Sequence, residues 1–511
     1  MRDSLMQNRT TWTRGWVMCA GALALGLLAS GARAAATVDI GLAGSGARID
    51  ALVVESHARK APTVVLIGGL AGDDASAATV RAAVARIEGD ARRAYTLLAV
   101  PVANPDHAAL QFPPGGVAYR ENPESNALWR WLGAQAPDLV LIAGNDAGLV
   151  AALGANDVAL MGRIPARTWS GSPEDLPAAK AILASPARQE LERRRARSPR
   201  QLATQLAQHY GRDFDQPLYI GAIALIARIR LGDLADVQRL AQPWVDGSKD
   251  PLARPSALIM AGHIVFTELY RRTKDARYLA AVRRVADTGF DAQGQMLEAM
   301  PYNGEYSDSV FMGTAIAAQA GALTGERRYF DMADRHLRFM EHLDLRPDGL
   351  YRHQPATDAA WGRGNGFSAL GLALTLSELP RESAAYRHAL DSYRQLMTRL
   401  LPLQNRDGLW RNVVDHPGAY PEFSATAMIG FALQRGMARG WIRGSDFQQA
   451  VSRAWVAVNS RASSTGTFID VCESTARMTS LDQYLKRAAI LGEDPRGGAM
   501  AMLFATELME K

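Results

Sequence analysis

The chain has 511 residues, too many for one ordinary core, so two domains are expected. An apolar fraction of 48% and a charged fraction of 21% are those of a soluble globular protein. The formal net charge of +5 gives no ground for nucleic-acid or membrane binding, because the leader holds Arg2, Arg9, Arg14 and Arg33 against Asp3 and leaves about +2 on the rest. That leader (1–34) has a basic stretch "RTTWTRGW", an apolar run "VMCAGALALGLLA" and a small-residue end "ARA" (32–34). The order is that of a secretory signal peptide cleaved near Ala34, too short and too weakly flanked for a spanning helix, and it predicts a periplasmic or secreted protein. Cys472 is then the only cysteine left, which excludes an internal disulfide. No later stretch is long and apolar enough to cross a bilayer.

From 36 to 180, β-rich runs ("TVVLIGGL", "YTLLAVPVANP", "DLVLIAGND") alternate with helical segments ("AATVRAAVARI", "ESNALWRWLGA"). Such alternation predicts an α/β domain around a parallel or mixed sheet. "VVLIGGLAGDDASA", "VPVANPDH" and "NPESNALWRWLGAQAPDLVLIAGND" together resemble the zinc carboxypeptidases, whose first strand leads into GG-x-H-G-x-E. Ala71 stands at the place of the first histidine and Asp74 at that of the glutamate, and no histidine follows "PDLVL". Catalytic zinc needs three protein ligands, so the resemblance implies a metal-free relic used for docking or substrate presentation. A peptidase or amidase that regains a ligand through His107 is the alternative. "GGLAGDD" also lacks the lysine of a phosphate-binding loop and places acids where anions would sit.

The charged segment "SPARQELERRRARSPRQ" has no apolar face of its own, and 181–201 is expected to be a linker, in part helical. From 202 to 511 the β signal vanishes, and amphipathic helical segments are separated by Gly, Pro and Asp turns. "RTKDARYLAAV", "LTGERRYFDMA" and "LPRESAAYRHA" put Tyr278, Tyr329 and Tyr386 at the same point after a turn, and "DGLYRH" (348–353) recurs as "DGLWRN" (407–412). The period fits one helical hairpin plus loops. A hairpin cannot bury its apolar face alone, so an all-α toroid of six hairpins is predicted, with loops at one rim converging on a cavity.

Several of those loops carry more chemistry than turns need. In "YNGEYSDSVFMGTAIA" (302–317), Asp308 ends a polar turn and precedes an apolar helix, the pattern of a helix cap. "WGRGNGFSALGLAL" sets Trp361, Arg363, Asn365 and Phe367 at a helix start, with glycines that permit close approach. Arg363 offers a planar fork for a carboxylate, or pairs with a structural acid. "DGLYRH" supplies Tyr351 and His353, the latter either packed or catalytic; "YPEFSATAM" supplies Glu422, Ser424 and Thr426, equally readable as capping. Aromatics beside polar forks suit a sugar.

In order, "YSDSVFM", "DGLYRH", "WGRGNGF", "LPLQNRDGLW" and "YPEFSATAM" resemble glycoside hydrolase families 88 and 105, the unsaturated glucuronyl and rhamnogalacturonyl hydrolases, over roughly 250–510. The tail "GTFIDVCEST…RGGAMAMLFATE" is similar to their closing segment, and Asn365 in place of the usual Gln points toward family 105. The resemblance implies an (α/α)6 barrel, no cofactor, and a lyase-derived unsaturated oligosaccharide as partner, the oligomeric state being left open. It implies that Asp308 is the acid/base that protonates C4 of the enol ether before water adds at C5, so the usual spacing of two carboxylates does not apply. Arg363, His353, Asn365, Tyr351 and Glu298 are then candidates for binding substrate, with Trp361 and Phe367 as walls. Relatives carry a second acid on an early barrel helix, yet "PSALIMAGHIVFTELYRRT" has none before Glu268, and "QGQMLEAMPY" offers Glu298 where a histidine is usual. A changed sugar subsite, or an inactive carbohydrate-binding protein, follows from that gap.

Overall fold

The computed structural model describes residues 35–58, 60–72, 74–90 and 94–510, and the expected leader lies outside the described residues. The first unit is built on strands β1 (Ala36–Leu42), β2 (Arg48–Val54), β3 (Thr63–Ile67), β4 (Thr96–Val100), β5 (Leu139–Ala143) and β6 (Ala166–Trp169), arranged in one sheet in the order β1-β2-β4-β3-β5-β6. From β4 to β6 the pairing is parallel; β3, β4 and β5 are nearly continuous Val, Leu and Ile runs covered on both faces, and β6 (ARTW) is the partly exposed edge. The hairpin β1–β2 is antiparallel, because the connection 43–47 is too short for a crossover. The sheet is therefore mixed. Helix α1 (Asp74–Gly89) covers one face; α2 (Pro123–Gln135) and α3 (Leu149–Ala155) cover the other. Ala71 lies in the turn before α1, the ring of His107 fills the space beside Gly72, and the side chain of Asp74 is not among those described. Among the described residues, no group of three or more His, Cys, Asp or Glu is placed to hold a metal ion.

The segment expected as a linker is instead packed structure. It holds α4 (Pro186–Arg195) and the start of α5 (Pro199–Leu206); Ser185 caps α4 by accepting from Arg188 N at 2.9 Å. Ala187, Leu191 and Arg194 are buried, and the Arg194 guanidinium donates to the carbonyls of Leu160 in the first unit and Ser460 in the second. Arginine stems supply the apolar face that counting charges conceals.

The second unit comprises α6 (Tyr219–Leu231), α7 (Leu234–Ala241), α8 (Ala257–Gly262), α9 (Ile264–Thr273), α10 (Ala276–Ala286), α11 (Ser309–Met312), α12 (Thr314–Thr324) and α13 (Arg327–Asp344). It continues with α14 (Gly362–Leu376), α15 (Ala384–Leu400), the short strands β7 (Trp410–Arg411) and β8 (Pro421–Glu422), α16 (Phe423–Ala438) and α17 (Ser445–Arg461). Strand β9 (Thr467–Cys472), α18 (Leu481–Leu485), β10 (Ala489–Glu493) and α19 (Pro495–Glu507) complete it. An inner ring runs α6, α8–α9, α11–α12, α14, α16, α19 and back to α6; α7, α10, α13, α15, α17 and α5 back it from outside. This is the six-hairpin (α/α)6 toroid, with α5 completing the last hairpin against α19. Inner helices such as α12 (TAIAAQAGALT) are small and apolar on every side because both sides are buried, whereas outer helices such as α13 carry one apolar stripe. Tyr278, Tyr329 and Tyr386 are each the third residue of an outer helix, which explains their repetition.

The units share a core. One apolar cluster joins Ile40, Leu128, Trp129 and Ile142 of the sheet layer to Trp361, Tyr420, Ile469 and Tyr484 of the barrel rim. Arg411 forms a two-pronged pair with Asp39 of β1, at 2.8 and 2.6 Å.

Inner helices α11 and α14 cross so closely at Gly371 that a Cβ there would stand 2.5 Å from the Val310 carbonyl oxygen and 2.6 Å from Phe311 Cα. Gly371→Ala should therefore lower stability by about 1–3 kcal/mol through overpacking, read from the denaturant midpoint; an unchanged midpoint would contradict the crossing. Asp344, the last residue of α13, is fully buried with neither carboxylate oxygen hydrogen-bonded among the described residues. Burial pushes its carboxyl up from 3.8 to about 8, against the pull of Arg352 and with a push from Asp308 and Glu305. The folded chain thus keeps a proton that the unfolded chain releases, so this group makes stability fall as pH rises from 3.8 through about 8. Asp344→Asn should flatten that fall, its advantage over wild type growing between about pH 5 and pH 8 in denaturant titrations; parallel pH slopes would disprove it.

Candidate active site

The loop 301–308 takes left-handed backbone at Tyr302, Gly304 and Glu305, with φ of 62, 60 and 56°. It is fixed where Ser309 Oγ donates to Asn303 O at 2.8 Å and Ser307 N donates to His353 O at 3.0 Å. Asp308 then enters α11 with helical dihedrals, and its side chain makes no capping bond. The cap reading suggested by composition does not hold. Its Oδ1 is buried without a hydrogen-bond partner, while 19% of the side chain is exposed, so the carboxyl sits at an opening rather than in the core.

Three of the expected residues gather around it. His353 Nε2 lies 3.8 Å from Asp308 Oδ1. The His353 ring stacks on Tyr306 (4.8 Å, 23°), meets Trp361 edge-on (4.5 Å, 61°), and its Nδ1 is 2.7 Å from Tyr484 Oη. When that hydroxyl donates, the ring proton resides on Nε2 and faces Asp308. Trp361 is held by its Nε1–H to Asn412 Oδ1 at 3.1 Å. Arg363 lies 4.9 Å over the Trp361 ring, donating from Nη1 to Cys472 O (2.6 Å) and from Nη2 to Glu473 O (2.9 Å). Its fork, expected to take a substrate carboxylate, is thus largely taken by backbone. Gly364 lets α14 come this near: a Cβ there would stand 2.6 Å from Ser307 Oγ and 3.7 Å from Asp308 Oδ1.

The other expected residues lie elsewhere. Asn365 spends its side chain on the backbone, accepting from Tyr351 N and donating to Tyr351 O and Trp361 O at 2.8–3.0 Å. Phe367 stacks on Phe311 inside the barrel core, and Tyr351 is buried there. Inner helices are apolar all round, so sequence alone cannot say which side faces the opening. Glu298 stands exposed on the loop after α10, in none of these contacts. Glu422 caps α16, accepting from Ser424 N, Ala425 N and Cys472 N, and Thr426 Oγ1 donates to Glu422 O. Tyr484, Asn412, Ser307 and Tyr306 were not singled out in the sequence. The last two flank Asp308 in its own motif and Asn412 closes the repeated "DGLWRN", whereas Tyr484 carries no local signal.

Electrostatics separates the groups. Burial pushes the Asp308 carboxyl from 3.8 up to about 7, against the pull of Arg363 and its own backbone amide. Burial, reinforced by Arg363, holds the His353 imidazole down at about 3, so it is neutral. Arg363 stays charged: burial opposes the charge, and Cys472, Glu422, Tyr219 and Asp308 outweigh it. The arrangement is a carboxyl that retains a proton near neutral pH, a neutral imidazole beside it and a fixed cation behind. A cavity of about 610 Å³ lies elsewhere, at the junction of the two units, lined among others by Asp39, Trp131, Arg195 and Arg453.

Known proteins share this architecture. A structure titled a possible member of GH105 family from Salmonella enterica serovar Paratyphi A superposes with a TM-score of 0.52 at 19% identity, covering 66% of this chain and 98% of that one. A family 88 glycosyl hydrolase from Bacteroides vulgatus gives 0.51 at 15%, covering 61% and 99%. In sequence, the unsaturated rhamnogalacturonyl hydrolase YesR of Bacillus subtilis is 24% identical over 301 residues, 53% of this chain and 82% of that protein. The unsaturated 3S-rhamnoglycuronyl hydrolase of Formosa agariphila is 35% identical over 103 residues, 19% of this chain and only 26% of the relative's own length. The model of Glycosyl Hydrolase Family 88 matches residues 241–511. With the toroid, the ordered motifs and the grouping around Asp308, that match places the chain in Glycosyl Hydrolase Family 88.

Proposed function

We propose that this protein removes a 4,5-unsaturated uronic acid from the non-reducing end of lyase-derived oligosaccharides, with Asp308 as acid and then base. The observation that carries the reading is the Asp308 carboxyl itself: partnerless at Oδ1, partly open to solvent, and poised near neutrality beside a neutral His353. The activities of the Bacillus and Formosa relatives support the same substrate class. Asp308 gives its proton to C4, and the C4=C5 pair forms the new C–H bond. The cation left on C5 is shared with the ring oxygen. Water adds at C5 and returns a proton to the Asp308 carboxylate. The resulting hemiketal opens, breaks the glycosidic bond and frees the sugar. His353 with its Nε2–H and the Arg363 charge hold the uronate side of the ring, and Trp361 walls the site. Export through the leader would bring the enzyme to polysaccharide fragments outside the cytoplasm.

The acid must be protonated to act, and its folded pKa is raised, so turnover should be full below about pH 7 and fall as pH rises through it. Asp308→Asn should cut kcat by about 10²–10⁴ without unfolding the chain. The assay is loss of enol-ether ultraviolet absorbance with unsaturated disaccharides. Binding without turnover of every disaccharide by the wild type would favour a carbohydrate-binding protein instead.

A further inference from the structure

The first unit reaches the Asp308 group through one strand. Asp470, in β9, is a buried non-glycine residue with φ of 64°, a left-handed backbone that persists only where its surroundings hold it. Its carboxylate is the fixing point. Oδ1 accepts from Tyr119 Oη at 3.0 Å and Arg130 Nη1 at 2.8 Å, both in the first unit, and Oδ2 accepts from Arg461 Nη1 at 2.9 Å in the barrel. The Arg130 guanidinium lies 5.4 Å from the centre of the Tyr119 ring, which stacks at 4.4 Å and 10° on Tyr420, so the donors are themselves held. Two residues beyond Asp470, the carbonyl of Cys472 takes Arg363 Nη1, and the next carbonyl takes Nη2. Cys472 N is clamped in turn by Glu422 Oε1 at 2.9 Å. The chain of contacts is unbroken, from Arg130 and Tyr119 through Asp470 and the end of β9 to the cation behind Asp308.

We infer that Arg130 and Tyr119 of the first unit are positioning residues for the hydrolase site: by fixing Asp470 they set the two carbonyls that place the Arg363 guanidinium beside Asp308. The inference rests on the hydrolase reading above and gives the first unit a task other than substrate docking. Neither residue touches substrate. Asp470 faces two arginines, so losing Arg130 still leaves Arg461 opposite the carboxylate.

The test uses the full chain with Arg130→Met, Tyr119→Phe and the conservative Arg130→Lys. As β9 relaxes, Arg363 retreats from Asp308, and kcat/KM on an unsaturated disaccharide should fall by about 10–100-fold, the scale of a small misplacement. The alkaline limb of the pH–rate profile should move upward, because the Arg363 charge opposes the rise of the Asp308 carboxyl. Arg130→Lys should restore most of both. A merely structural loss would scale the rate equally at every pH; an unmoved limb in folded variants overturns the inference. Should the wild type turn over no unsaturated disaccharide, the hydrolase reading fails, and the inference is decided by the Asp308 titration in 13C-carboxyl-labelled protein. An upward move in Arg130→Met supports it, and an identical titration overturns it.

Discussion

A guanidinium taken almost wholly out of water, with carbonyls as its direct partners, is the interaction on which the site depends. Were Arg363 paired directly with Asp308, the carboxylate would be locked in its charged form and could hold no proton near neutral pH. Cys472 O and Glu473 O instead satisfy the fork, Trp361 covers its face, and the charge reaches Asp308 only through space. Burial raises the Asp308 carboxyl, and the Arg363 charge limits the rise. Three segments far apart in sequence must meet for this balance: the head of α11, the first turn of α14 and the end of β9.

The toroid supplies that meeting by geometry. Its inner helices carry small residues where backbones cross, as at Gly371 against α11 and Gly364 against the Asp308 loop. Two inner members are interrupted, α8–α9 at His263 and α11–α12 at Gly313. At the second break, His336 from α13 contributes Nε2 at 3.0 Å from Ser309 O, steadying the segment that follows Asp308. His336 is buried and its imidazole is depressed to about 4 by that burial, so it remains a neutral strut.

Much of this was legible in the sequence where one residue type had one physical job. Tyr278, Tyr329 and Tyr386 marked the outer helices because each packs at the same turn, and the two DGL turns share glycines with φ of 88 and 89°. Other features had no such signature. β1 carries Gly41 and both strands mix polar with apolar residues and are partly exposed, so no continuous apolar run announced them. The arginine-rich stretch looked solvated because its burial is in methylene stems. Asn365 and Phe367 lie in the right motif but face inward, a matter of rotation about a helix that is apolar on every side, and Tyr351 is drawn into the core from the loop before it. The partners of Arg363 are carbonyls, which every residue possesses and no motif can display.

The cluster uniting Trp361 and Tyr420 with the sheet layer bears on how such a protein can change over generations. Recombination that cut the gene between the units would leave an oily rim on one fragment and an oily sheet on the other. In this chain, then, drift on the sheet layer has to be answered for on the barrel rim.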